Sequence, residues 1–175
     1  LPKIVANGYG SLFMPVGASP VTFPLNNPVT ITNAGVYDYF GVSVKDGVYT
    51  DGFAGNLITA QAVNKTWYIE ELTPGGSNAT ITLQWNAADE LPGFDINNVY
   101  LNHYTNGAWD SGTPGAALGS DPYTFTRSGI TSFSPFSISS TTSVLPVPLI
   151  SFAGNKSGTV IQLNWQTESE KNIVS

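Results

Sequence analysis

Residues 79–86 read Ala-Thr-Ile-Thr-Leu-Gln-Trp-Asn, with a large apolar side chain at every second position from Ile81 to Trp85. On extended backbone Ile81, Leu83 and Trp85 share one face, and Thr80, Thr82, Gln84 and Asn86 share the other. A helical turn of 3.6 residues would scatter those apolar groups around its circumference, so the segment fits a half-buried strand. The same period of two returns elsewhere. Val29 and Ile31 alternate with Thr30 and Thr32; Phe40, Val42 and Val44 lie opposite Gly41, Ser43 and Lys45; Trp67 and Ile69 lie opposite Thr66, Tyr68 and Glu70. No stretch carries a helical period. The pattern predicts that Phe40, Val42, Val44, Trp67, Ile69, Ile81, Leu83 and Trp85 are buried together, because a slip of one residue would turn each of them outward.

Turn residues punctuate these runs. Asn106-Gly107 is the dipeptide of a two-residue hairpin, and 74–78, Pro-Gly-Gly-Ser-Asn, predicts another hairpin. Residues 46–56 form a glycine-rich loop, 87–93 a second loop and 110–122 a long third one, while 1–24 is rich in breakers and allows only short strands. About eight or nine strands at this spacing predict an all-β fold over 1–144, an antiparallel β-sandwich of immunoglobulin or jelly-roll kind. Pro135, lacking an N–H, places the strand around Phe136 at an edge or gives it a bulge there. Ser139 to Ser143 reads as a connector, and Leu145-Pro-Val-Pro148 as a stiff linker, since proline fixes its own φ and keeps its predecessor extended. Residues 149–175 begin a second β pattern that stops unfinished. With Leu1 at one end and Ser175 at the other, the sequence is expected to be a piece of a longer chain.

Charge excludes one class of partner. Charged residues are 10 % of the chain, against ~25 % in an average domain, and the formal net charge is −6. A nucleic-acid backbone needs clustered lysine and arginine, and no cluster exists. There is no cysteine, which removes disulfides, thiolate metal sites and cysteine nucleophiles. No apolar run approaches the ~20 residues of a membrane-spanning helix.

Three runs near the C-terminus carry a resemblance: Ser-Phe-Ser-Pro-Phe-Ser-Ile at 132–138, Leu-Pro-Val-Pro-Leu-Ile-Ser-Phe at 145–152, and Leu-Asn-Trp-Gln-Thr-Glu-Ser-Glu-Lys-Asn at 163–172. Together they resemble a junction in large secreted and cell-surface proteins of Bacteroidota, the cargo of type IX secretion. The match covers 123–172 well and extends loosely to 64–71, 83–86 and 103–109. The resemblance implies that 149–175 are the first strands of an incomplete fibronectin type III-like module. It also implies an extracellular or cell-surface location, with neighbouring domains of the same polypeptide, or other surface proteins, as partners. The expected function is a non-catalytic structural or adhesive module. The alternative is a carbohydrate-binding accessory module of a secreted polysaccharide-degrading enzyme.

Candidate chemistry is sparse. His103, the only histidine, is expected to make a cross-strand contact; no Gly-x-Ser-x-Gly elbow accompanies it. A glycosidase needs two carboxylates facing one another across a cleft. The members of Glu70-Glu71 and of Asp89-Glu90 diverge on extended backbone, and only Asp89 or Glu90 with Asp95 would converge through a turn. Asp89, Glu90, Asp95, Asn97 and Asn98 supply the hard oxygens that calcium prefers; Asp46 and Asp51 are a thinner set. Calcium is thus the one candidate cofactor, while the acidic side chains are expected first of all to solvate loops. For a glycan, Trp67 and Trp85 sit on core faces, leaving Trp109, Tyr100 and Tyr104 near the Asn-Gly turn as the rings that would stack on sugar.

Overall fold

The computed structural model describes residues 3–6, 11–14, 27–141, 149–157 and 160–167, with side chains described over 27–141. In chain order the strands are β1 (Lys3–Ala6), β2 (Ser11–Met14), β3 (Val29–Asn33), β4 (Asp38–Asp46), β5 (Ala62–Glu71), β6 (Ala79–Trp85), β7 (Tyr100–Thr105), β8 (Ala108–Ser111), β9 (Leu118–Gly119), β10 (Tyr123–Ile130), β11 (Pro135–Ser139), β12 (Leu149–Ser157) and β13 (Val160–Thr167). A single 3-10 turn, Ala87–Asp89, is the helical element among the described residues.

The chain forms two compact units, Leu1–Val144 and Leu145–Ser175. In the first, one antiparallel sheet runs β1-β4-β5-β11-β7-β8 and the other β2-β3-β6-β10-β9. The second unit contains the antiparallel pair β12-β13. The linker expected at 145–148 lies outside the described residues, as do the side chains of β12 and β13.

The two sheets of the first unit face each other as a sandwich. Phe40, Val42, Val44, Trp67, Ile69, Leu101, Phe136 and Ile138 of the first sheet meet Val29, Ile31, Ala79, Ile81, Leu83, Trp85 and Ile130 of the second in one core. Every side chain that the alternation predicts inside is there, none of them more than 6 % exposed. Each fully buried side chain of this size stabilises the fold by about 1.5–3 kcal/mol relative to leaving it in water. Trp67 also satisfies its indole N–H inside the core by donating to the Asn27 carbonyl at 2.9 Å.

Asn106-Gly107 closes the β7–β8 hairpin, with φ of 52° and 79° at its two residues, the left-handed pair that matches strand twist. The other expected hairpin is absent. β5 and β6, on either side of 74–78, belong to different sheets. Residues 74–78 cross between layers and are bonded to the neighbouring crossing from β3 to β4. Val36 N–H donates to Gly76 O at 2.8 Å and Ala34 N–H to Asn78 O at 3.0 Å. Asn33 Oδ1 accepts from both Gly35 N–H and Asn78 N–H at 3.0 Å. Gly35 is required by this contact: a Cβ there would sit 2.2 Å from Gly76 O. Gly75 and Gly76 have φ of 94° and 92°, which a corner between sheets needs as much as a hairpin does.

Pro135 is also not at an edge. β11 lies between β5 and β7, and its register slips between Ser137 and Ser139, beyond the proline. Proline is accommodated because it is the first residue of the strand, where a missing donor interrupts no ladder.

Candidate functional site

The outer face of the first sheet has two rows of unlike chemistry. Thr66, Ser137, Asn102 and Ser111 are register neighbours across β5, β11, β7 and β8. Asn102 ties this polar row together: its Nδ2 donates to Ser139 Oγ at 2.9 Å, and its Oδ1 accepts from Ser111 Oγ at 2.8 Å. One step toward the 74–78 end lie Tyr68, Pro135, Tyr104 and Trp109. Apart from the proline, that second row is aromatic.

The β4–β5 connection folds down onto both rows as a short finger. Its two arms hold each other through Ile58 N–H to Val48 O at 2.8 Å and Thr50 N–H to Asn56 O at 2.9 Å, with a bridge between Tyr49 and Leu57. The finger is fixed to the sheet by side chains from three strands. Thr66 Oγ1 donates to Gly47 O at 2.6 Å, and Trp109 Nε1 donates to Tyr49 O at 2.9 Å. Val48 and Trp109 form a second small core with Ile58 and Tyr104. At the finger's tip Gly52, φ 69°, lies flat on the Tyr104 ring; a Cβ would come within 2.6 Å of that ring. The next side chain, Phe53, is thereby aimed outward and is 64 % exposed. Its ring stands 5.8 Å from Tyr68, tilted by 38°, and 6.3 Å from Tyr104, edge-on at 90°. Lys45 Nζ lies 5.0 Å over the Tyr68 ring, and burial pushes the Tyr68 phenol up, with nearby Tyr49 adding to the shift.

The three rings singled out in the sequence do come to one face. Tyr100 and Tyr104 share the outer side of β7, and Trp109 meets Tyr104 at 5.4 Å. They are not equally open. Tyr100 and Trp109 are each 8 % exposed, Trp109 because the finger covers it, while Tyr104 remains half-buried. The exposed ring is Phe53. Its place above Tyr68 and Tyr104 depends on how the 47–61 segment folds back, and no local sequence pattern encodes that.

No family model matches the chain, and neither a curated protein nor a solved structure does. What the geometry establishes is an all-β chain with two antiparallel sheets packed as a sandwich and an aromatic finger on one of them.

The acidic residues are distributed through structural contacts. Asp89 Oδ2 accepts from Asn27 Nδ2 at 2.8 Å and from Asn86 N–H at 3.2 Å, while Oδ1 lies 3.3 Å from Lys65 Nζ. Lys65 also bonds Asp46, its register neighbour. Burial pulls the Lys65 ammonium down, but the Asp46 hydrogen bond and the charges of Asp89 and Asp46 outweigh it, leaving the pKa raised. Glu90 Oε1 accepts from Trp85 Nε1 at 3.0 Å. Burial raises the pKa of that carboxyl, the Trp85 hydrogen bond lowers it, and the charges of Asp121 and Asp89 raise it further. Asp95 Oδ1 instead accepts from Asn97 N–H at 2.9 Å in a local turn, and Asn98 Nδ2 donates to Ser140 O at 3.3 Å. Glu71 Oε2 accepts from Gly75 N–H at 3.0 Å. Among the described residues no three His, Asp or Glu side chains gather in a way that would hold a metal ion.

His103 lies on the inner side of β7, 5 % exposed and stacked on its cross-strand neighbour Phe136 at 4.5 Å and 9°. Burial, and then the Arg127 charge, lower its pKa to about 4, against the opposing pull of Asp110. It is neutral at pH 7 and packed as an aromatic.

Proposed function

We propose that this chain is a non-catalytic adhesive or structural module of a large extracellular protein exported by type IX secretion, and that the Phe53 face is its contact surface. The observation that carries this reading is the bracing of Phe53. A positive-φ glycine, an indole hydrogen bond and two tyrosine rings hold a large apolar side chain in water, 64 % exposed. Rigid aromatic side chains in such settings are the usual anchors of binding surfaces, because little conformational freedom remains to be lost on contact. The groups that hydrolysis would use act here as fold contacts: His103 on Phe136, Asp89 on Asn27, Glu90 on Trp85. Type IX export, the surface location, neighbouring domains as partners and a fibronectin-like identity for 149–175 rest on the resemblance across 123–172. An immunoglobulin or jelly-roll assignment of the sandwich belongs to the same proposal.

A carbohydrate-binding accessory role is the second reading. It is favoured by the clustering of Phe53, Tyr68 and Tyr104, since sugar rings present C–H faces that stack on aromatic ones.

Beads coated with the protein test the main reading. They are expected to adhere to extracellular-matrix or polysaccharide-coated surfaces, without release of sugar ends or peptide fragments. Phe53→Ser is expected to abolish adhesion at an unchanged melting temperature. Adhesion that survives Phe53→Ser, or turnover of the coated surface, overturns the reading.

A further inference from the structure

We propose that the Phe53 face takes an acidic glycan, a polymer of uronic acid units, with the sugar laid on the exposed Phe53 ring and its carboxylate against Lys45. The inference rests on the reading of this face as a contact surface and names the chemistry that it selects.

The cation decides the class. Three cationic side chains fall within residues 27–141. Lys65 is paired with Asp46 and Asp89, and Arg127 with Asp110, 2.6 Å away. Lys45 is exposed and has no carboxylate partner among the described residues. Its Nζ lies 5.0 Å over the Tyr68 ring, held there by the ring's quadrupole. A chain of net charge −6 therefore keeps an unneutralised cation at its ring cluster.

The rings decide the rest. The exposed ring of Phe53 is the apolar surface, with Tyr68 at 5.8 Å and Tyr104 at 6.3 Å beside it. A sugar ring offers Phe53 an apolar C–H face and keeps its hydroxyls at the rim. The polarity of the site also has a direction. Glu70 follows Tyr68 on the same face of β5, opposite Gly41, and repels an anion at that end. Lys45 lies at the other end, opposite Thr66, so the carboxylate is placed there. A neutral glycan would use the rings alone and leave Lys45 without an anion.

Calorimetric titration of the intact chain with oligogalacturonate, with a neutral cello-oligosaccharide of equal length and with poly-glutamate tests the proposal. The uronate is expected to bind at least about tenfold more tightly than the neutral oligomer. Lys45→Met is expected to erase that difference, and Phe53→Ser to abolish binding of both sugars, with the melting temperature of each variant unchanged. Equal binding of neutral and acidic sugars overturns the acidic class. Poly-glutamate binding as tightly as the uronate overturns the sugar. If no glycan binds while Phe53-dependent bead adhesion persists, the contact surface stands and the glycan proposal falls; if adhesion is also absent, both fall.

Discussion

At position 103 a ring that could carry charge lies flat on Phe136 inside the sandwich, and the cost of charging it there makes stability depend on pH. Its folded pKa, about 4, is below the unfolded value of 6.5. Between those values the unfolded chain takes up a proton that the native state refuses, so stability falls as pH drops from 6.5 toward 4. The slope from this one group is at most about 1.4 kcal/mol per pH unit. Below pH 4 both states are protonated and the penalty is constant. The stability difference between the native chain and His103→Gln, followed by urea denaturation across pH 4–8, should carry that slope; a difference independent of pH would mean that His103 titrates normally. The contact of Gly35 with the opposing crossing is equally specific. Gly35→Ala forces a Cβ onto the Gly76 carbonyl and is expected to cost about 1–3 kcal/mol. A urea midpoint unchanged in that variant would show that the two crossings are not locked together.

Strands in this chain differ in how much of them sequence alone can predict, and the difference follows from the range of the forces that make them. β4, β5 and β6 are legible because alternation is local: an apolar face is defined by neighbours two residues away. Leu83→Ala, in the middle of β6, should cost about 2–5 kcal/mol and shift the denaturation midpoint accordingly. The turn at 74–78 reads as a hairpin because positive-φ glycines and polar residues are common to hairpins and corners. What distinguishes the corner is its bonding to Ala34 and Val36, some forty residues earlier. The finger is less legible still. Trp109 reads as an exposed ring because it follows a hairpin turn, and nothing near it announces that Val48 and Tyr49 will cover it. Trp109→Phe keeps a ring in the small core but removes the donor to the Tyr49 carbonyl, a loss of about 1 kcal/mol. Because that bond fixes only the finger, amides of 48–58 should exchange faster while those of β6 and β11 do not. Uniform acceleration across the sandwich would show that the finger is part of the global fold.

Across the whole molecule, the two compact units stand on unequal physical footing. The first closes a core between two sheets, with Trp67, Trp85, Phe40 and Phe136 all fully buried. The second, Leu145–Ser175, contains β12 and β13 paired over Leu149–Thr167. A lone two-stranded ribbon is marginal in water, because cross-strand pairs return only about 0.2–1 kcal/mol each while ordering the backbone costs about 1–2 kcal/mol per residue. The β pattern that begins after the linker is legible in sequence, yet a local pattern cannot say what lies against it. A chain ending at Val144 is therefore expected to keep one cooperative urea transition with a large apolar heat-capacity change. A peptide of residues 145–175 is expected to lose the pairing, with amide exchange near the unprotected rate throughout 149–167. Protected amides in that isolated peptide would mean that the ribbon carries enough side-chain contact to stand alone.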